Sequence, residues 1–179
     1  MEAKQARPDA VVEAAYRDLQ EQTDRLFAWI TNPDNPARIR VVFSDGCLPY
    51  ADDRQLVEGV RARRELEVTS ARRDPRRQHP MLGCERGGPY DRFRAVHDIL
   101  GHARLGAGFD RDGEYATWVA QERQYDGLAR WALATELHGE HSVYWTTGEP
   151  TEHKGILLQP ELLARARRAG RASEPVDEK

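Results

Sequence analysis

The spacing of its apolar residues constrains this chain more than any other feature. Over residues 8–31, Val11, Val12, Ala15, Leu19, Leu26, Phe27 and Ile30 recur at intervals of three, four and seven, the pattern of one amphipathic helix that stops at Asn32-Pro33. A second long helix is expected over 114–137, where Tyr115, Trp118, Val119, Tyr125, Leu128, Trp131 and Leu133 are positioned to line a core. Shorter helices are expected at 54–65, capped by Asp52 or Asp53, at 92–100 and at 160–171. Short β-branched runs at 39–43 and 66–69 read as two strands able to pair, and Val143-Tyr144-Trp145 reads as extended after a helix stop at Gly139. The expected class is α+β, a mainly helical single domain with a small β-sheet.

At 179 residues the chain suits one core, expected over 1–171 and followed by a flexible tail at 172–179. A formal net charge of -3 gives no global field for a polyanion, so nucleic acid is not an expected partner. No run of about 18 apolar residues occurs and the N-terminus is polar, which predicts a cytoplasmic protein without a membrane partner. Cys47 and Cys84 lie 37 residues apart with no CxxC spacing, as reduced thiols would. The Arg- and Gly-rich stretch 70–89, with Arg72, Arg73, Arg76 and Arg77, reads as a solvated loop; it lacks the Gly-Lys-Ser/Thr end of a nucleotide cradle.

Chemistry concentrates in Phe93-Arg94-Ala95-Val96-His97-Asp98-Ile99-Leu100-Gly101-His102. On an α-helix each step turns about 100°, so two histidines five apart diverge by about 140°. Gly101 offers a way out by letting the helix end or tighten, swinging His102 toward the face of His97. Two imidazoles suit a divalent metal that also takes a carboxylate and an open position, and Glu114, Glu122, Glu136 and Glu140 are candidates for the carboxylate. Glu136 has apolar neighbours at near-helical spacing and should be buried, where a metal would supply the counter-charge; Glu114 has the alternative task of stabilising a first helical turn.

The run His97-Asp98-Ile99-Leu100-Gly101-His102 resembles the histidine motif of the aromatic amino acid hydroxylases, in which His-Asp/Glu-x-x-Gly-His supplies two iron ligands and a later helical glutamate the third. The likeness spans about residues 94–137. It implies a hydroxylase-like metal core, with iron(II) on His97, His102 and Glu136 and Asp98 beside the metal. No counterpart of the pterin-contacting strip precedes the histidines, and Ala132 stands where the hydroxylases carry a tryptophan, so pterin is not an expected cofactor. Residues 93–163 also look like a group of small uncharacterised proteins sharing the motif. That likeness draws 135–142 and Glu152-His153-Lys154 into one constellation, with Glu152 and Lys154 as acid and base and Arg94, Glu140 and Trp145 contacting substrate.

The leading expectation is a mononuclear non-heme iron(II) oxygenase or hydroxylase whose partners are dioxygen and a small polar molecule. A zinc-dependent hydrolase on the same ligands, with Asp98 or Glu152 as general base, is the alternative. A third reading is a non-catalytic helical module whose basic runs at 72–77 and 165–171 meet an acidic partner.

Overall fold

A computed structural model of the chain describes residues 10–46, 49–71, 79–83, 85–149 and 155–158. Its element order is α1 (Ala10–Thr31), β1 (Arg40–Ser44), α2 (Asp53–Glu58), β2 (Glu65–Thr69), α3 (Pro89–His97), α4 (Arg111–Glu122), α5 (Ala129–Ala134) and α6 (Glu140–Thr147). Three π-helical turns extend α2, α3 and α5, at Gly59–Arg63, Asp98–Ala103 and Thr135–Gly139. The molecule is mainly helical with one small sheet, as the periodicity predicts. No described helix is long and apolar enough to cross a membrane.

The buried stripe of α1, Val12, Ala15, Tyr16, Leu19, Thr23 and Ile30, follows the helical repeat and packs on α3 and α5. Around it lies one core cluster that includes Tyr90, Phe93, Trp118, Tyr125 and Leu133. A second cluster sits against the sheet, with Ile39, Leu66, Val68, Val96, Ile99 and Ala103. Helix α3 and its π turn contribute to both clusters, so the histidine segment is clamped from two sides. Its start is pinned by Asp91, which accepts from Ser70 Oγ, Ala71 N and Gly87 N, and by Arg92, whose guanidinium donates to both oxygens of Asp24 at 2.7 and 3.1 Å.

The two strands pair as expected and run parallel, with Val41 opposite Leu66 and Phe43 opposite Val68. Helix α2 forms the crossover that a parallel pair requires. Asp52, rather than Asp53, caps it by accepting from Gln55 N at 2.8 Å. Asp52→Ala should cost about 1 kcal/mol in urea unfolding, the usual worth of an N-cap.

Several boundaries differ from expectation, among them that of the helix expected over 54–65, which ends at Arg63 before a left-handed Arg64 leads Glu65 into β2. The long helix expected over 114–137 is two, because the chain turns at Gly127 (φ 53°), where Gln22 exchanges hydrogen bonds with Asp126 and Asp18 accepts from Ala129 N. Helix formation does not stop at Gly139. It runs on as α6 to a left-handed Gly148 (φ 73°), so Val143, Tyr144 and Trp145 are helical and exposed. Helix α3 begins at Pro89, at its favoured first position, and continues past Leu100 in a π turn. The expected helix at 160–171, the tail at 172–179, Cys47, Cys84 and the basic runs at 72–77 and 165–171 lie outside the described residues.

Candidate metal centre

His97 ends α3 and His102 lies in the following π turn. In that turn hydrogen bonds reach back five residues, so side chains five apart stack on one face. The divergence of an α-helix is thereby removed by widening the helix, not by ending or tightening it as the glycine suggests. Gly101 serves a different need. A Cβ there would sit 3.0 Å from Thr117 Cβ and 3.2 Å from Thr117 Cγ2, so the glycine lets the turn press against α4. Gly101→Ala should therefore cost about 1–3 kcal/mol in urea unfolding, the range for overpacking a tight contact.

The two Nε2 atoms face each other at 3.1 Å. His97 Nδ1 lies 2.9 Å from Gln121 Oε1 and His102 Nδ1 lies 3.1 Å from the Ala107 carbonyl. Both of these partners are acceptors, so each ring carries its proton on Nδ1 and turns an Nε2 lone pair toward the other ring. Two lone pairs at that distance repel unless a cation or proton lies between them.

The carboxylate brought to this point is that of Glu114. Asp110 caps α4 by accepting from Gly113 N at 2.8 Å, and a Cβ at Gly113 would fall 2.1 Å from the Gly108 carbonyl oxygen, so the preceding loop is pressed onto the helix start. Glu114 follows directly. Its Oε1 is 3.5 Å from His102 Nε2, and its Oε2 is 3.5 Å from His97 Nε2 and 3.2 Å from His141 Nδ1. Burial pushes the Glu114 carboxyl up, but the imidazoles of His102 and His97 beside it outweigh that and hold it well below the usual carboxylate range. Burial alone would lower His97, and Glu114 reverses the sign and raises it. His141, driven mainly by burial, is lowered.

One ligand atom from each of His97, His102 and Glu114 lies within 4.8 Å of the others, and all three residues are buried. Donors that share an ion at about 2.1 Å stand about 3.0 Å apart at right angles and about 3.4 Å apart in a tetrahedron, close to the separations seen here. Glu114 Oε2 is buried and lacks a hydrogen-bond partner among the described residues. Two outward lone pairs, one under-satisfied carboxylate oxygen and acceptors fixing both Nδ1 protons make a donor set that fits a divalent cation. Phe109 closes over His102, ring centroids 4.8 Å apart and edge-on.

Glu136, expected as the third ligand, stands outside this group. Its Oε1 accepts from the Tyr16 hydroxyl and from His79 Nε2, the latter at 3.0 Å. It is buried as expected, with the Tyr16 hydroxyl and the His79 imidazole on that one oxygen. Asp98, Arg94 and Glu140 do line the cavity of about 370 Å³ that opens beside the histidines, and so does Glu136. Arg94 also donates to the Thr69 carbonyl at 2.6 Å, and burial pushes the Asp98 carboxyl up. Trp145 is 43% exposed on α6 and is not part of the cavity wall. Glu152 and Lys154 lie outside the described residues.

Gln121, Tyr16 and His79 were not singled out by the sequence, whereas His141 belongs to the run 135–142 drawn into the constellation and is brought to Glu114. For Gln121 a signal existed, since Glu114, Thr117, Trp118 and Gln121 share one face of α4 at helical spacing and all are buried. Comparison with protein-family models, curated proteins and solved structures found no match to the chain. The fold and the cluster define an α+β, mainly helical protein with a buried two-histidine, one-carboxylate centre. Its likeness to the hydroxylases rests on the motif.

Proposed function

We propose that His97, His102 and Glu114 bind one iron(II) ion, and that the protein is a non-heme oxygenase acting on a small polar molecule held in the adjoining cavity. The observation that carries this reading is the pair of Nε2 lone pairs turned toward each other at 3.1 Å beside a buried carboxylate. Three protein ligands on one side leave positions for other partners, the arrangement used by oxygen-dependent non-heme iron enzymes. Iron(II), when bound, supplies the redox chemistry by which dioxygen is reduced.

The remaining tasks fall to the chain. Gln121 and the Ala107 carbonyl fix the ring orientations, and Phe109 packs edge-on against His102. His141 Nδ1, lowered by burial and 3.2 Å from Glu114, is a neutral base at the edge of the site, placed to hold a proton at that atom. Arg94 and Glu140 supply polar contacts for substrate from the cavity wall.

Protein loaded anaerobically with iron(II) should consume dioxygen when air is admitted with a panel of small polar compounds, and zinc-loaded protein should not. Hydrolysis of an ester or amide by the zinc form, without oxygen uptake by the iron form, would reverse the assignment.

A further inference from the structure

We propose that Arg61, an exposed residue on the π turn after α2, is a positioning residue of the metal centre, one that sets the second histidine by clamping the backbone beyond it. The proposal rests on the metal reading above. A helix leaves its last carbonyls without intrahelical donors. Just past His102 they are met from another element: Arg61 Nε donates to the Ala103 carbonyl at 2.6 Å, and its Nη2 to the Arg104 carbonyl at 2.9 Å. A guanidinium suits this place, because it offers two donors in a rigid fork and its charge answers the negative end of a helix.

The clamped backbone is the turn that orients His102. Gly106 N and Ala107 N both donate back to the His102 carbonyl, at 2.7 and 3.2 Å, with Gly106 in the left-handed region (φ 72°). The chain thereby brings the Ala107 carbonyl to His102 Nδ1. The guanidinium also packs on that turn, since a Cβ at Gly106 would stand 3.3 Å from Arg61 Nη2. The same loop carries Phe109 against His102 and ends at Asp110, the cap of the helix that bears Glu114. Arg61 therefore grips the connection between two of the three proposed ligands. His97 is held separately, by Gln121. An orienting partner of a metal-bound histidine is worth about 10- to 100-fold in affinity, and Arg61, acting through the turn, belongs at the low end of that range.

The test compares unaltered protein, Arg61→Ala and Arg61→Lys, with zinc affinity measured by equilibrium dialysis and the imidazole Nδ1–H resonances of the zinc-loaded protein by NMR. Arg61→Ala should bind zinc about tenfold more weakly. Its His102 Nδ1–H signal should shift or vanish through exchange with water, while that of His97 stays in place. Arg61→Lys, which keeps the charge and one donor group, should fall between the two. Lower stability of Arg61→Ala with zinc affinity and the His102 signal unchanged would make the residue a helix cap alone and overturn the proposal. Equal displacement of both histidine signals, the mark of general loosening, overturns it too. If the alanine variant fails to fold, Arg61→Lys decides: affinity and His102 signal identical to those of unaltered protein overturn the proposal, and intermediate values support it. Failure of the metal reading shows differently, as unaltered protein that takes up no zinc, and takes this proposal with it.

Discussion

His102→Ala should lower the affinity for a divalent ion by more than about a hundredfold, because losing only a partner that orients a ligand already costs about 10- to 100-fold. The substitution removes one Nε2 donor and leaves His97 facing Glu114 alone. Gln121→Ala, which removes the acceptor holding His97 Nδ1, should fall within that smaller range. Equilibrium dialysis against zinc or iron(II) gives the order directly: unaltered protein tightest, then Gln121→Ala, then His102→Ala. The alanine at 102 also relieves two facing lone pairs in the metal-free state. Its effect on apo stability should therefore be smaller than its burial suggests, and a urea melt without metal checks this.

Trp118→Ala should cost about 3–5 kcal/mol of stability, the range for truncating a fully buried tryptophan. The indole is completely inaccessible, stacks on His138 with ring centroids 4.4 Å apart and 14° between planes, and meets Tyr115 edge-on at 5.6 Å. It is the largest buried side chain and ties α4 to the core around α1. Because α4 also carries Glu114 and Gln121, the same change should loosen the metal centre. The readout is the loss of unfolding free energy in urea, with metal affinity measured in the concentration range where the variant remains folded. A loss below about 1 kcal/mol, typical of a surface site, would contradict this packing.

The helical character, the strand pair and the histidine motif were legible because each is a local pattern. Val12, Ala15, Leu19 and Ile30 announce a buried face by spacing alone, and the strand runs at 39–43 and 66–69 are β-branched and bounded by turns. That Glu114, and not Glu136, comes up to the two histidines was not legible in the same way. Both are buried glutamates on helices, and the apolar neighbours of Glu136 do predict its burial. Which histidine each one meets depends on the break at Gly127 and on the pressing of Gly101 and Gly113 against Thr117 and Gly108, contacts between segments that spacing does not encode. The π turn was hidden for a related reason: an α-helical repeat is the default, and the wider turn shows only as a conflict between two histidines five apart. The second partner of Glu136, His79, lies 57 residues away in a stretch read as a solvated loop.

The most direct test is the position of the ion itself, taken from anomalous diffraction of crystals of the metal-loaded protein. One peak is predicted about 2.0–2.2 Å from His97 Nε2, His102 Nε2 and a Glu114 oxygen. A peak held instead by Glu136, or no peak near the two histidines at saturating metal, would contradict the account.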